Sequence, residues 1–226
     1  MQIAVLGTGT VGRTIAGKLS ELGHDVAVGT RDPQATLARS EPDARGTAPY
    51  SVWQADHPGV RLASFAEAAG SAELVVNATG GEGSMDALTQ AGEANLAGKV
   101  LLDVSNPLDF SQGFPPSLLV KDTDSLAEQI QRAFPAVRVV KSLNTMTAAL
   151  MADPGGVGGG DHSVFVSGDD PEAKRTVTSL LEQLGHRDVI DLGDLSTARG
   201  AEMYVPLWLR MMGALGTPLF NIKVVR

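Results

Sequence analysis

Residues 1–32, MQIAVLGTGTVGRTIAGKLSELGHDVAVGTRD, decide the fold. Ile3-Ala4-Val5-Leu6 is a short apolar run ending in Gly7-Thr8-Gly9-Thr10-Val11-Gly12, after which Ile15, Ala16, Leu19 and Leu22 recur at helical spacing. The pattern predicts a strand, a tight turn and a helix, with Gly23 as the stop and a second strand at Asp25-Val26-Ala27-Val28. Gly7 is expected to permit the turn, Gly9 to let backbone N–H groups approach a pyrophosphate, and Gly12 to let the helix pack closely on the strand. Phosphates held by Gly7, Thr8, Gly9, Thr10, Val11 and Gly12 would meet the positive end of the helix dipole. A glycine pattern alone is weak evidence, but strand, turn, helix and second strand in this order predict a dinucleotide site.

The end of the second strand bears on which dinucleotide. A chain specific for NAD usually carries Asp or Glu there, to accept hydrogen bonds from the ribose 2′-hydroxyl. Here the sequence is Gly29-Thr30-Arg31. A carboxylate would repel a 2′-phosphate, whereas the Thr30 hydroxyl is suited to donate to it and the Arg31 guanidinium to fork onto its oxygens. NADP is therefore expected over NAD. The competing expectation is a solvated Arg31 neutralised by Asp32.

Composition narrows the classes. A chain of 226 residues buries one good core, so a single domain over 1–226 is expected. With 43% hydrophobic and 19% charged residues it is not disordered as a whole. A net charge of −8 and no cluster of Lys and Arg argue against a nucleic-acid surface. There is no cysteine, which excludes disulfides, thiolate nucleophiles and cysteine-ligated clusters. His24, His57, His162 and His186 share no metal-ligand spacing, so no metal is expected and each reads as a surface or turn residue. The first strand begins at Gln2, without a signal segment, and the apolar stretch Met203 to Phe220 is broken by Pro206, Arg210 and Pro218. A cytoplasmic protein that does not span a membrane is expected.

Beyond Arg31, a short helix is predicted from Pro33 to Arg39, then a turn-rich connection over 41–59. That connection reads either as a surface excursion with a helix around Tyr50 to Ala55 or as a cover over a cofactor, its length and composition favouring the former. Further strands are predicted at Val60-Arg61-Leu62, Glu73 to Ala78, Val100 to Val104, Val137 to Val140, Ser163 to Val166 and Asp188 to Asp191. Helices are expected from near Ser84, after Asp124 or Thr123 as a cap, at Met146 to Met151, and from Pro171 to Gly185. Residues 155–160, five of them glycine, read as a flexible connector rather than a second phosphate loop. Ser196 to about Leu215 reads as helix interrupted at Pro206 and presents Tyr204, Leu207, Trp208, Met211, Met212 and Leu215 as an apolar surface suited to a symmetric homodimer. The alternation implies an α/β, doubly wound, mostly parallel Rossmann sheet of about eight strands with a C-terminal helical extension.

Ligands on such sheets lie beyond the carboxyl ends of the strands. Those ends carry Gly7 to Gly12, Thr30-Arg31, Asn77-Ala78-Thr79, Ser105-Asn106-Pro107 and Ser142-Leu143-Asn144-Thr145, all small, polar or glycine apart from Val11, Arg31 and Leu143. No nucleophile elbow, no spaced pair of carboxylates and no lysine stands out as an acid. Reduction of a ketone needs a proton donor beside the hydride, whereas transfer between two conjugated rings rests on stacking and orientation.

GTGTVG, GTRDP, SNP, KSLNTMTA, SGDDPEAK, DLSTARGAE and PLWLRMMGALGTPLFNIKVV, in this order, resemble the NADPH-dependent coenzyme F420 reductases, and the same nucleotide domain is similar to the cytoplasmic part of the STEAP metalloreductases. The resemblance implies direct hydride transfer between nicotinamide C4 of NADP and C5 of a deazaflavin. It also implies Asn77-Ala78-Thr79 along the adenosine and linker, and Ser105-Asn106-Pro107 beside the nicotinamide. Asn144, Thr145 and Met146 would face the stacked rings, with Asn144 and Met146 as the catalytic pair and Asn144 also touching the cofactor. The extension over about 195–226, around Ser196, Arg199 and Leu207, would close the acceptor pocket. Arg199 would pair with an anionic group of the second ligand or form a helix-end salt bridge. Archaeal reductases carry His where this chain has Asn144; the metalloreductase-like relatives carry Asn. Two other expectations stay open beside the deazaflavin: an NADPH-dependent flavin or ferric reductase, and an NADP-binding redox sensor without turnover.

Overall fold

The apolar runs become one sheet in the computed structural model, which describes residues 1–43 and 46–226. The strands are β1 (Gln2–Leu6), β2 (Asp25–Thr30), β3 (Arg61–Ser64), β4 (Leu74–Asn77) and β5 (Val100–Asp103), then a small ribbon of β6 (Leu108–Asp109) and β7 (Ser117–Leu118), then β8 (Arg138–Ser142), β9 (Ser163–Ser167) and β10 (Asp188–Gly193). Leaving out the ribbon, the order across the sheet is β10-β9-β8-β5-β4-β1-β2-β3. Pairing is parallel except between β8 and β9, where Lys141 faces Ser167. β1 lies between β2 and β4, so the strand order reverses there, and ligands of open α/β sheets bind at such a reversal.

Every central strand is buried on both faces, and the period of two sorts its side chains into two cores. Ile3, Val5, Val76, Leu102 and Val140 face helices α1 (Thr10–Glu21), α3 (Tyr50–Asp56), α8 (Ala148–Ala152) and α9 (Pro171–Gln183). Ala4, Leu6, Val75, Leu101 and Val139 face α4 (Phe65–Ser71), α5 (Gly81–Ala91), α6 (Glu93–Leu96), α7 (Leu126–Ala133) and α10 (Ala198–Met203). Short α2 (Pro33–Ala38) follows β2, and α11 (Val205–Leu215) follows α10 after a break at Tyr204. Pro206 sits in the first turn of α11, where its missing N–H costs nothing.

Several local expectations change. The loop after Pro107 contains the β6–β7 ribbon, whose two-residue strands are too short to show a period. α5 starts at Gly81 rather than Ser84. α7 is capped by Ser125, whose Oγ accepts from Glu128 N at 3.1 Å, one residue beyond Asp124. Residues 155–160 are not a loose connector: two 3₁₀ turns, Pro154–Gly156 and Gly158–Gly160, fold here, with Gly158, Gly159 and Gly160 at φ of 56°, 62° and 83°.

His162 and His186 are buried, not surface residues, and meet edge to face at 6.2 Å. His162 Nε2 donates to Pro154 O at 3.0 Å and His186 Nε2 to Met151 O at 3.1 Å, which ties the 3₁₀ turns and α8 to the sheet. Burial pushes the His186 pKa down to about 4, the bond to Met151 opposing and the neighbouring His162 adding to the effect. The unfolded chain takes up this proton below its ordinary pKa of 6.5, and the folded chain only near 4, so stability should fall as pH drops through that window. The loss should reach about 3 kcal/mol. Urea midpoints recorded across this range should decline for the wild type and decline less for His186→Gln.

Candidate functional site

The glycine loop owes its shape to backbone contacts. Gly7 has a φ of 120°, and a Cβ there would lie 2.6 Å from Ala78 O; a Cβ on Gly12 would lie 2.1 Å from Gly7 O. Neither position admits a side chain. A Cβ on Gly9 would meet nothing within 4 Å, so this N-cap of α1 faces open space, and no side chain caps the helix. The first N–H groups of α1 are thus left for an anion. α5 repeats the arrangement opposite: it starts behind Gly80 without a side-chain cap, and a Cβ on Gly81 would lie 2.1 Å from Asn106 O. Gly81 was not among the expected site residues; its signal in the sequence is the Gly-Gly pair after Thr79.

Three adjoining cavities run along this edge of the sheet. The widest, about 480 Å³, lies between residues 78–82, residues 104–106 and residues 146–148, with Leu108, Phe110, Met151 and Trp208 completing its wall. It shares Thr10, Val11, Ala78, Thr79 and Gly80 with a second cavity of about 340 Å³. That one shares Gly9, Asp43 and Thr47 with a third of about 150 Å³, reaching Arg13, Thr36, Arg39 and Tyr50. The succession has the elongated form a dinucleotide requires, with two uncapped helix starts at its middle. The described part of the 41–59 connection, from which residues 44 and 45 are excluded, therefore covers one end of the cleft as well as forming α3. Arg13 holds it there, donating through Nε to Thr8 O at 2.7 Å and through Nη1 to Ala48 O at 2.5 Å.

The expected site residues divide into those on the wall and those behind it. Thr8, Gly9, Thr10, Val11, Ala78, Thr79, Ser105, Asn106 and Met146 line the cleft. Thr30 is buried; because Thr36 Oγ1 donates to Asp32 O, the 3.0 Å contact between the two threonines uses the Thr30 proton. Asp32 caps α2 through Ala35 N at 3.0 Å instead of neutralising Arg31. The Arg31 side chain is exposed and has no partner among the described residues. Asn77 is wholly buried, donating to Asp103 Oδ1 at 2.8 Å and accepting from Thr79 Oγ1 at 2.6 Å. Pro107 accepts from Leu119 N at 2.8 Å and anchors the β6–β7 ribbon.

Asn144 also lies behind the wall. Its Nδ2 donates to Asn106 Oδ1 at 2.9 Å and Ala201 O at 3.0 Å, while Asn106 Nδ2 donates to Asn144 O at 2.9 Å. The preceding Leu143 takes a left-handed φ of 62°, which turns the chain out of β8. Ser196 and Arg199 sit away from the cleft wall: Ser196 Oγ donates to Asp194 at 2.5 Å, and Arg199 forks onto Glu128 with Nε at 2.9 Å. Leu207 is exposed, and Trp208 is the residue of α11 that reaches the wall.

Beneath the cleft lies a side chain that no local pattern in the sequence marks. Lys141 is fully buried on β8. Its Nζ donates to Asp103 Oδ2 at 2.8 Å and to Ser105 O at 2.6 Å, and pairs with Glu202 Oε1 at 2.8 Å. Burial disfavours the ammonium, but Asp103 and Glu202 more than offset this and hold its pKa above that of an ordinary lysine. Glu202 in turn accepts from the N–H groups of Leu126 at 2.8 Å and Ala127 at 3.2 Å, the start of α7. Asp103 Oδ1 is filled by Asn77 Nδ2, Ser105 N and Ser105 Oγ. Lys141→Met would strand two buried carboxylates, and a loss of about 3–5 kcal/mol in urea unfolding is expected.

Known proteins show the family to which the chain belongs. Residues 2–107 match the family described as NADP oxidoreductase coenzyme F420-dependent. The chain is 29% identical to the F420-dependent NADP reductase of Methanothermobacter marburgensis, over 93% of this chain and 92% of that protein. It is 31% identical to Metalloreductase STEAP3 of Rattus norvegicus over 92% of its length but spans only 37% of that protein. The crystal structure of a candidate F420-dependent NADP reductase from Arthrobacter sp. FB24 superposes with a TM-score of 0.96 at 64% identity, each chain covered in full. The chain belongs to the family of F420-dependent NADP oxidoreductases.

Proposed function

We propose that the protein transfers hydride between NADP(H) and a deazaflavin of the coenzyme F420 type, in the cytoplasm and as a homodimer. One observation carries this reading: the widest part of the cleft adjoins the glycine turn, and Leu108, Phe110, Met146 and Trp208 are among the side chains on its wall. Among the described residues, Glu82 is the only titratable side chain on that wall. Such a site binds and orients two rings but offers little for protonating a carbonyl substrate, which suits direct hydride transfer. With NADPH as donor, the hydride passes to the deazaflavin and one proton from solvent completes the reduced product.

The residues take the following roles. The turn from Gly7 to Gly12 and the start of α1 hold the pyrophosphate, with Ala78 and Thr79 along the linker. Arg31 takes the 2′-phosphate, because its guanidinium is uncommitted; Thr30, its proton given to Thr36, shapes the strand end rather than donating to the ligand. Ser105 and Asn106 flank the nicotinamide, and Met146 excludes water beside it. Asn144 positions Asn106 from behind and Asn77 supports Thr79. The segment 195–226 closes the acceptor end through Trp208. No helix among the described residues is long and apolar enough to cross a membrane. Leu207 and Leu215 on α11 are 56% and 58% exposed, an apolar face that a second copy of the chain would cover.

Isothermal titration should give tighter binding of NADP than NAD. Arg31→Ala should weaken NADP by about 1.5–3 kcal/mol and leave NAD nearly unchanged. Equal binding of the two nucleotides by the wild type would overturn the NADP assignment. NADPH oxidation should be followed with F420, a flavin and a ferric chelate in parallel; turnover confined to the last two would replace the deazaflavin as acceptor. A monomeric mass in solution would remove the dimer.

A further inference from the structure

We infer that Trp208 is the platform on which the acceptor ring stacks, and that the C-terminal tail exists to hold this indole in place. The inference rests on the hydride-transfer reading above and adds to it the side of the cleft that recognises the second ring. Trp208 and Phe110 are the two aromatic residues on the wall of the widest cavity. The indole packs on Phe220, with ring centroids 5.3 Å apart and planes 21° from parallel, so it is backed by a second ring.

Phe220 belongs to the segment after α11, which has no regular structure of its own but is strapped to the sheet edge. Ile222 O accepts from Ser163 N at 2.9 Å, and Val224 N donates to Ser163 Oγ at 2.9 Å. Asn221 Nδ2 donates to His162 Nδ1 at 2.7 Å. Lys223 and Arg226 pair with Asp188 at 3.1 and 2.8 Å. An indole fixed from behind presents a large rigid surface at low conformational cost, and a flat conjugated ring is the ligand that gains most from it. The other tryptophan, Trp53, stacks on His57 at 4.2 Å and contacts Tyr50 on the α1 face of the sheet, which makes it an internal reference.

The test uses the full chain in two single-tryptophan forms, Trp53→Phe and Trp208→Phe, titrated with oxidised coenzyme F420 in the presence of NADP. Emission from Trp208 should be quenched several-fold more strongly than emission from Trp53. In kinetics, Trp208→Leu should raise the KM for F420 by about tenfold, with Trp208→Phe recovering most of the loss. NADP affinity, which also reports that each variant is folded, should stay within about twofold of the wild type. Equal quenching of the two tryptophans together with an unchanged KM overturns the role of Trp208 and leaves the hydride-transfer reading standing. A wild-type protein that binds NADP but neither binds nor reduces F420 removes that reading, and this inference falls with it.

Discussion

The Lys141 ammonium is the point on which the rest of the structure depends. Its three donors reach Asp103 on β5, the backbone of the Ser105 turn and Glu202 on α10. Taking one cation and two carboxylates out of water costs several kcal/mol per ion, so the arrangement holds only because nearly every lone pair and proton is met. Glu202 spreads its charge onto the first N–H groups of α7, and Asp103 onto Asn77 and Ser105. A buried network of this kind tolerates little displacement. It therefore sets the Ser105 turn and the C-terminal extension in one fixed relation.

Above that network the cleft is shaped by backbones brought closer than side chains would allow. Gly7 against Ala78, Gly12 against Gly7 and Gly81 against Asn106 draw the loops after β1, β4 and β5 together. Two helix starts open into the space they enclose, so an anionic group placed there would meet fixed dipoles and not mobile lysines. Ordering of this kind before binding reduces what must be immobilised when two ring systems are brought face to face.

Two segments outside the nucleotide-binding core close the ends of the cleft, and each is tied back by a few polar contacts. At one end Arg13 joins Thr8 of the glycine loop to Ala48, and its guanidinium lies 5.4 Å over the Tyr50 ring. At the other, α11 and the strapped tail bring Trp208 to the wall. The middle of the cleft is thus built from the loops that follow the central strands, and its ends from segments that lie outside them.

The sequence by itself determined the sheet and the glycine loop, because these rest on short-range patterns: the short apolar run Ile3 to Leu6, the glycines that follow it and the helical spacing of Ile15 to Leu19. All eight strands of the main sheet lie where the apolar runs put them. What only the tertiary structure decided is which polar residues face the cleft and which support it. Asn144 and Met146 are two residues apart in the chain, yet the first is pinned under Asn106 and the second is on the wall. Lys141 reads from sequence as a charge ending a strand, since its partners Asp103 and Glu202 are far away along the chain. Pairing across such distances leaves no local period, and the free energy that buries a charge appears only once all its partners are in place.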